Sequence, residues 1–305
     1  LHTAYRRQRQ MCIRDRNESV RYSVPEWIID GWNADYGRDV TEKMLEAFMQ
    51  PAKITVRTNT QKCTPQELKD RLSQEGVTVE AIEGISYAFA LSGFDYLAGL
   101  GSFQDGWFYV QDISSMTVAH AADPKKGDYI IDVCAAPGGK SSHLAELLDG
   151  SGMVEARDLT EYKVGLIEEN ILRHDLHNMK AVQQDATLFD ETSVEKADIL
   201  ICDLPCSGLG VIGRKSDIRY KMTAEKAHDL AVLQQEMLDT VWKYVKRGGK
   251  LIYSTCTIHK EENEDNVAAF LQKHPQFTLV EQRQIFPMEG SDGFFVAKMI
   301  RSTDE

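Results

Sequence analysis

Asp203 and Cys206 flank a proline in "ADILICDLPCSGLG", just past an apolar, β-prone run, and Cys256 closes a second such run in "KLIYSTCT". Two thiols and a carboxylate at the ends of two strands suit addition to an electron-poor ring carbon, because a thiolate is strongly nucleophilic near neutral pH and leaves readily afterwards. Cytosine C5 needs such help. It is a poor nucleophile until something adds at C6, which makes C5 enamine-like and able to attack a methyl sulfonium. A carboxyl group near N3 and N4 stabilises that adduct by hydrogen bonding or by sharing a proton, and Asp203 suits the role. The residue types leave open whether Cys206 or Cys256 attacks. Methylation at a ring nitrogen needs no thiol, and where such enzymes place an aromatic after a proline pair this chain reads "PCS".

Other uses of the cysteines fit less well. A metal would recruit Cys202, Cys206 and Cys256, but Cys202 and Asp203 point to opposite faces of one strand, and no CxxC or histidine pair completes a tetrahedral site. No metal is expected. Cys63, Cys134 and Cys202 read as small buried hydrophobes. A disulfide between Cys206 and Cys256 requires neighbouring strands and is disfavoured by a reducing compartment.

The stretch "IIDVCAAPGGKSSHLAELL" passes from a buried strand through Pro-Gly-Gly into a helix, aiming backbone N–H groups at an anionic or polar ligand. A phosphate-binding loop needs glycine where Cys134 stands ahead of "GKS", and the dinucleotide pattern GxGxxG is absent. What remains is a nucleoside cofactor with no pyrophosphate to cradle. S-adenosylmethionine fits, its amino-acid part facing the glycine loop. Asp158 ends the next strand, where a carboxylate takes ribose hydroxyls, and Asp185 ends the third, where one receives the adenine amine.

These residues need a scaffold. After Pro124, strands and helices alternate: "YIIDVCAA", "KSSHLAELL", "GMVEARD", "EYKVGLIEENILR", "MKAVQQD", "ADILICDLP", a long helix from Thr223 to about Arg247, "KLIYSTCT", "EENEDNVAAFLQKH" and a late strand "FFVAKMIR". Apolar strands separated by helices of this length predict an α/β fold with a mostly parallel sheet covered on both faces, and ligands bind such sheets outside the carboxyl ends of the strands. Ahead of it, helical spacing runs from "PEWIIDGW" to Pro51. A β-α-β piece follows, its helix marked by Thr64 as N-cap, Pro65, Glu67 completing a capping box, and Gly76 past the end. Gly84 to Gly106 reads as loops or hairpins, which places a boundary before Pro124.

The 305 residues are 42% hydrophobic and carry a net charge of −12, which argues against nonspecific coating of nucleic acid but leaves room for a local basic patch. No apolar run is long enough to span a membrane and no secretory signal opens the chain, so a cytoplasmic protein with six reduced cysteines is expected. The first sixteen residues hold five arginines and no apolar period, and are read as a foreign or truncated leader. The expected division is a leader over 1–20, a small α+β RNA-binding subdomain over 21–120 and a catalytic domain over 121–305.

Taken together, "YSVPEWIIDGW", "VRTNT", "QDISS", "DVCAAPGGK", "DLPCSGLGVIGRKSDIRY", "YSTCTIHKEENEDNV" and "GSDGFF" resemble the RNA cytosine-5 methyltransferases, especially those acting on bacterial 16S ribosomal RNA. The resemblance implies a Rossmann-like methyltransferase domain and a cofactor site of Cys134, Ala135, Ala136, Pro137, Gly138, Gly139, Lys140, Asp158, Lys163, Asp185 and Asp203, holding S-adenosylmethionine. It implies that Cys256 is the nucleophile, that Cys206 assists product release and that Asp203 contacts the base. Its substrate would be a flipped or single-stranded cytosine in ribosomal RNA, with tRNA as the alternative substrate and a non-catalytic ribosome-assembly factor as the alternative class. Arg57, Asn59, Arg214, Lys215 and Arg219, with Lys221, are the candidate RNA contacts. No counterpart of the family's helical NusB-like domain is expected ahead of "YSVPEW", Ser216 stands where the family commonly shows proline, and a monomer is expected.

Overall fold

The computed structural model describes residues 18–304; the basic first sixteen residues of the expected leader lie outside the described residues, while 18–22, which include the last three positions of the leader expected over 1–20, are helical. Seven strands form the larger sheet: β5 (Tyr129–Asp132), β6 (Met153–Asp158), β7 (Met179–Gln183), β8 (Ala197–Asp203), β9 (Val245–Thr255), β10 (Phe277–Ile285) and β11 (Phe294–Arg301). Their order is β10-β11-β9-β8-β5-β6-β7. β5 to β9 pair in parallel, whereas β11 pairs antiparallel with both β9 and β10. This is the Rossmann-like, mostly parallel arrangement anticipated from the alternating pattern. β10 went unread because only its two ends are buried and it carries the polar run "EQRQ".

The unbroken apolar runs follow from burial on both faces. Ile199 and Ile201 of β8 face a cluster with Leu144, Leu148 and Ile167, and Leu200 and Cys202 face another with Leu238, Val241 and Phe270. Chain order reverses between β5 and β8, and parallel pairing sets Asp203 opposite Ser254. The loops that follow β8 and β9 are therefore neighbours. The long helix stops at Val241 rather than near Arg247, since Val245 already pairs with Ala197 and β9 passes through "KRGG".

The smaller sheet is antiparallel throughout: β1 (Ile54–Thr58), β2 (Thr78–Ile82), β3 (Ile85–Ser92) and β4 (Phe108–Val110), in the order β2-β3-β1-β4. The helix Pro65–Gln74 packs on it through Leu68 and Leu72, with the capping box of Thr64 and Glu67 formed as anticipated. The first helical stretch is two helices, Glu26–Tyr36 and Arg38–Phe48, broken at Gly37 where φ is +80°. Their buried Ile28, Ile29, Trp32, Met44 and Leu45 pack on Leu209, Ile212 and Ile258, the loops beyond β8 and β9, and Trp32 Nε1 donates to the Ile258 carbonyl at 3.1 Å.

A buried polar seam joins the two sheets. Arg57 of β1 pairs with Glu146 at 2.5 Å, donates through Nε to Gln111 at 2.7 Å, and lies 4.2 Å from the Tyr109 ring centre. Arg57→Ala would strand the Glu146 carboxylate in the interior, and the expected cost is about 3–5 kcal/mol of unfolding free energy, read by denaturant titration. A loss below about 1 kcal/mol would mean that water replaces the guanidinium at little cost.

Candidate active site

The site forms where four strand ends meet beside the reversal in strand order. Beyond β5 the chain turns at Gly138, whose φ of +105° few side chains tolerate, into the helix Gly139–Leu147. Asp158, ending β6, is buried; its carboxylate accepts from the Ala136 N–H at 3.0 Å and the Leu159 N–H at 2.8 Å and pairs with Lys163 at 3.0 Å. Asp185 lies two positions past β7 and accepts from the Thr187 N–H at 2.8 Å and its hydroxyl at 2.7 Å. The loop Cys134 to Lys140, Asp158 and Lys163 thus form one cradle, while Asp185 stands at the next strand along.

A helix start entered through a left-handed glycine, beside a buried carboxylate on the neighbouring strand, fits S-adenosylmethionine. Gly138→Val should weaken cofactor binding by about tenfold or more through backbone strain. Space is not the limit, since an added Cβ would meet Met179 Cε at 3.5 Å and Ile167 Cγ2 at 3.6 Å. Calorimetry on the folded variant checks this, and unchanged affinity would place the cofactor elsewhere.

Lys140 points from the cradle to the chemistry. Its ammonium pairs with Asp203 at 2.7 Å, and the other Asp203 oxygen accepts from Ser254 at 2.7 Å. Burial works against the Lys140 charge, but Asp203 outweighs it and raises the lysine above its ordinary value. Beneath them, buried Asp132 accepts from Ser141 at 2.5 Å, and burial pushes its carboxyl up to about 7.

Cys206 and Cys256 bring their sulfurs within 3.3 Å of each other. They are not equivalent. The hydrogen bond shared with Cys206 lowers the Cys256 thiol, with Lys140 and Lys215 adding to it against burial and the Asp203 charge. Accepting no such help, Cys206 is raised by that same shared bond and by burial, and Glu262 adds to the rise. These opposite directions favour charge on Cys256 over Cys206. Among the described residues no group of three or more His, Cys, Asp or Glu could hold a metal ion, and no helix is long and apolar enough to cross a membrane.

Of the RNA-contact candidates, three face inward. Arg57 and Asn59 are fully buried, the latter donating to the carbonyls of Gly106 at 3.0 Å and His174 at 3.2 Å. Arg219 is buried too, stapling the carbonyls of Tyr22, Ser23 and Ile212. These three are internal ties rather than surface contacts, because each is buried and bonded to buried partners, although Arg57 Nη2 and Arg219 Nε find no hydrogen-bond partner among the described residues. Arg214 is held by Asp112 at 2.9 Å, Asp292 at 2.8 Å and the Lys53 carbonyl at 2.8 Å, and Lys221 pairs with Asp217 at 2.7 Å. Lys215 is exposed, without an ion-pair partner among the described residues, and near enough to lower the Cys256 thiol. Asp132, Ser254 and Glu262 were passed over. Asp132 could have been found as a strand-end carboxylate in the motif already singled out, whereas Ser254 and Glu262 gave no local signal.

Residues 119–300 match the family described as 16S rRNA methyltransferase RsmB/F, and residues 24–94 match the ferredoxin-like domain described for RsmF/B-like methyltransferases. The chain is 39% identical over 303 residues to a probable ribosomal RNA small subunit methyltransferase B of Bacillus subtilis (strain 168), covering 93% of this chain and 68% of that protein. Against the ribosomal RNA small subunit methyltransferase B of Pectobacterium carotovorum the identity is 32%, covering 97% and 71%. A crystal structure of a methyltransferase homolog protein from Pyrococcus horikoshii superposes with a TM-score of 0.81 at 27% identity, covering 93% of this chain and 98% of that one.

Proposed function

The chain belongs to the RsmB/F family of 16S rRNA methyltransferases, and from that membership we propose that it methylates C5 of an unpaired cytosine in 16S ribosomal RNA through a covalent adduct between Cys256 and C6. Membership makes it an S-adenosylmethionine-dependent methyltransferase that acts on RNA cytosine. The observation that carries the finer reading is the pair of sulfurs 3.3 Å apart beside Asp203, with charge favoured on Cys256.

Cys256 thiolate adds at C6, forming the S–C6 bond and moving the C5–C6 electron pair toward C5. Asp203, fixed by Lys140 and Ser254, meets the N3 and N4 edge, accepting from the N4 amino group and sharing a proton with N3 as negative charge builds there. When bound, S-adenosylmethionine supplies an electrophilic methyl group. Once C5 carries the methyl, its hydrogen leaves as a proton, the C5–C6 double bond re-forms, and the S–C6 bond breaks with its electrons returning to Cys256. Cys206, whose sulfur lies 3.3 Å from the nucleophile, relays that proton to water, giving up its own thiol proton as it takes the one from C5. The cradle Cys134 to Lys140 with Asp158, Lys163 and Asp185 holds the cofactor, and Lys215, with Arg214 behind it, meets the RNA backbone. We assign the RNA-facing role to residues 21–120 and catalysis to 121–305.

Incubating the protein with S-adenosylmethionine and unmodified 16S RNA, then mapping 5-methylcytosine by bisulfite sequencing, tests this. One unpaired cytosine should gain the methyl. Modification of tRNA alone would move the substrate, and methyl found only on nitrogen would remove the reaction.

A further inference from the structure

Glu262 plays no part in the bond changes above, yet it sits at the junction of both cysteine loops. Fully buried in the turn before the helix Glu264–Lys273, it accepts from the Ser207 N–H at 2.8 Å, from the Ser207 hydroxyl, and from Gln234 Nε2 at 3.0 Å. All three partners are donors, an environment made for a carboxylate and unsuited to an amide, whose N–H groups would meet other N–H groups. The Ser207 oxygen also lies 2.7 Å from Thr257 Oγ1. Ser207 follows Cys206 and Thr257 follows Cys256, so one buried charge ties the two loops together.

The charges around the sulfurs are unevenly shared. The charges of Lys140, Lys215 and Asp203 act on Cys256, while that of Glu262 acts on Cys206 through its tie to the adjoining Ser207. His259, on the other side of Glu262 at 3.4 Å, is raised by that carboxylate although burial opposes it. Resting on the reading of Cys256 as nucleophile, we propose that Glu262 is a positioning residue that keeps the proton shared by the two sulfurs on Cys206 and so leaves the thiolate on Cys256. A fixed negative charge next to Cys206 disfavours a second one on its sulfur, and low local dielectric strengthens the effect. The upward direction at Cys206 and the downward direction at Cys256 agree with this division.

The test is iodoacetamide alkylation of the full chain across a pH series, each cysteine followed by peptide mass spectrometry. In the unmodified protein Cys256 should react at least about tenfold faster than Cys206 near neutral pH, as a separation of one pKa unit or more requires. In Glu262→Gln that preference should fall by about tenfold or more, with Cys206 alkylation appearing at lower pH than before. Unchanged preference in folded Glu262→Gln overturns the proposal while leaving Cys256 as the nucleophile. Faster alkylation of Cys206 in the unmodified protein overturns the nucleophile assignment itself, and the proposal with it. Should Glu262→Gln fail to fold, Ser207→Ala decides, because it loosens the tie but leaves the carboxylate beside Cys206. The proposal expects undiminished preference for Cys256 there, and loss of it would move the effect from charge to loop geometry and overturn the proposal.

Discussion

Cys256→Ser is expected to lower RNA methylation on the order of 10⁴-fold or more, while leaving S-adenosylmethionine affinity within about twofold of the unmodified protein. A serine hydroxyl is barely ionised near neutral pH, and the groups that act on Cys256, namely Cys206, Asp203, Lys140 and Lys215, offer no strong base to take its proton. The cradle at Cys134 to Lys140 and Asp158 is untouched by the change, so cofactor binding should persist. Methyl transfer assays with tritiated cofactor, beside calorimetry on the same preparation, separate the two quantities. Residual activity within tenfold of the unmodified protein would exclude Cys256 as the attacking group.

Cys206→Ala should behave in the opposite way. Addition at C6 uses Cys256, and the Lys140 and Lys215 charges that favour its thiolate remain, so one round of methylation is expected. Release is expected to slow by about 10²-fold or more, the usual contribution of a positioned proton-transfer group. The signature is a burst of about one methyl per enzyme followed by near arrest. A steady linear time course at an undiminished rate would show that water removes the C5 proton unaided and that Cys206 is only a packing neighbour of Cys256.

How far these residues were legible depended on whether their surroundings are local in sequence. The capping box at Thr64 and Glu67 spans four positions and was read in full. Asp158 and Asp203 were read from their places at the ends of apolar runs, because strand ends are marked by a change of composition in the chain itself. Strand order was not written there. That β8 and β9 are neighbours, and so that Cys206 meets Cys256, is settled by helices covering both faces of the sheet. Arg57 was misread for a related reason. A lone arginine on an alternating strand reads as a surface cation, and its partner Glu146 lies 89 positions away. Glu262 likewise looks like part of a solvated acidic run, "EENED", until Ser207, 55 positions earlier, is folded against it. Polar residues whose partners are distant carry no local pattern, and at this site they hold the two cysteine loops.

The central claim is a covalent bond between Cys256 and C6 of the target base. It is tested most directly by incubating Cys206→Ala with S-adenosylmethionine and substrate RNA, separating the products on a denaturing gel, and identifying the cross-linked peptide by mass spectrometry. The account predicts a protein–RNA band that requires both cofactor and RNA, carries the nucleotide on Cys256, and vanishes in the Cys206→Ala/Cys256→Ser double variant. A band retained by Cys256→Ser with the nucleotide on Cys206, and missing from Cys206→Ala, would contradict it and exchange the roles of the two thiols.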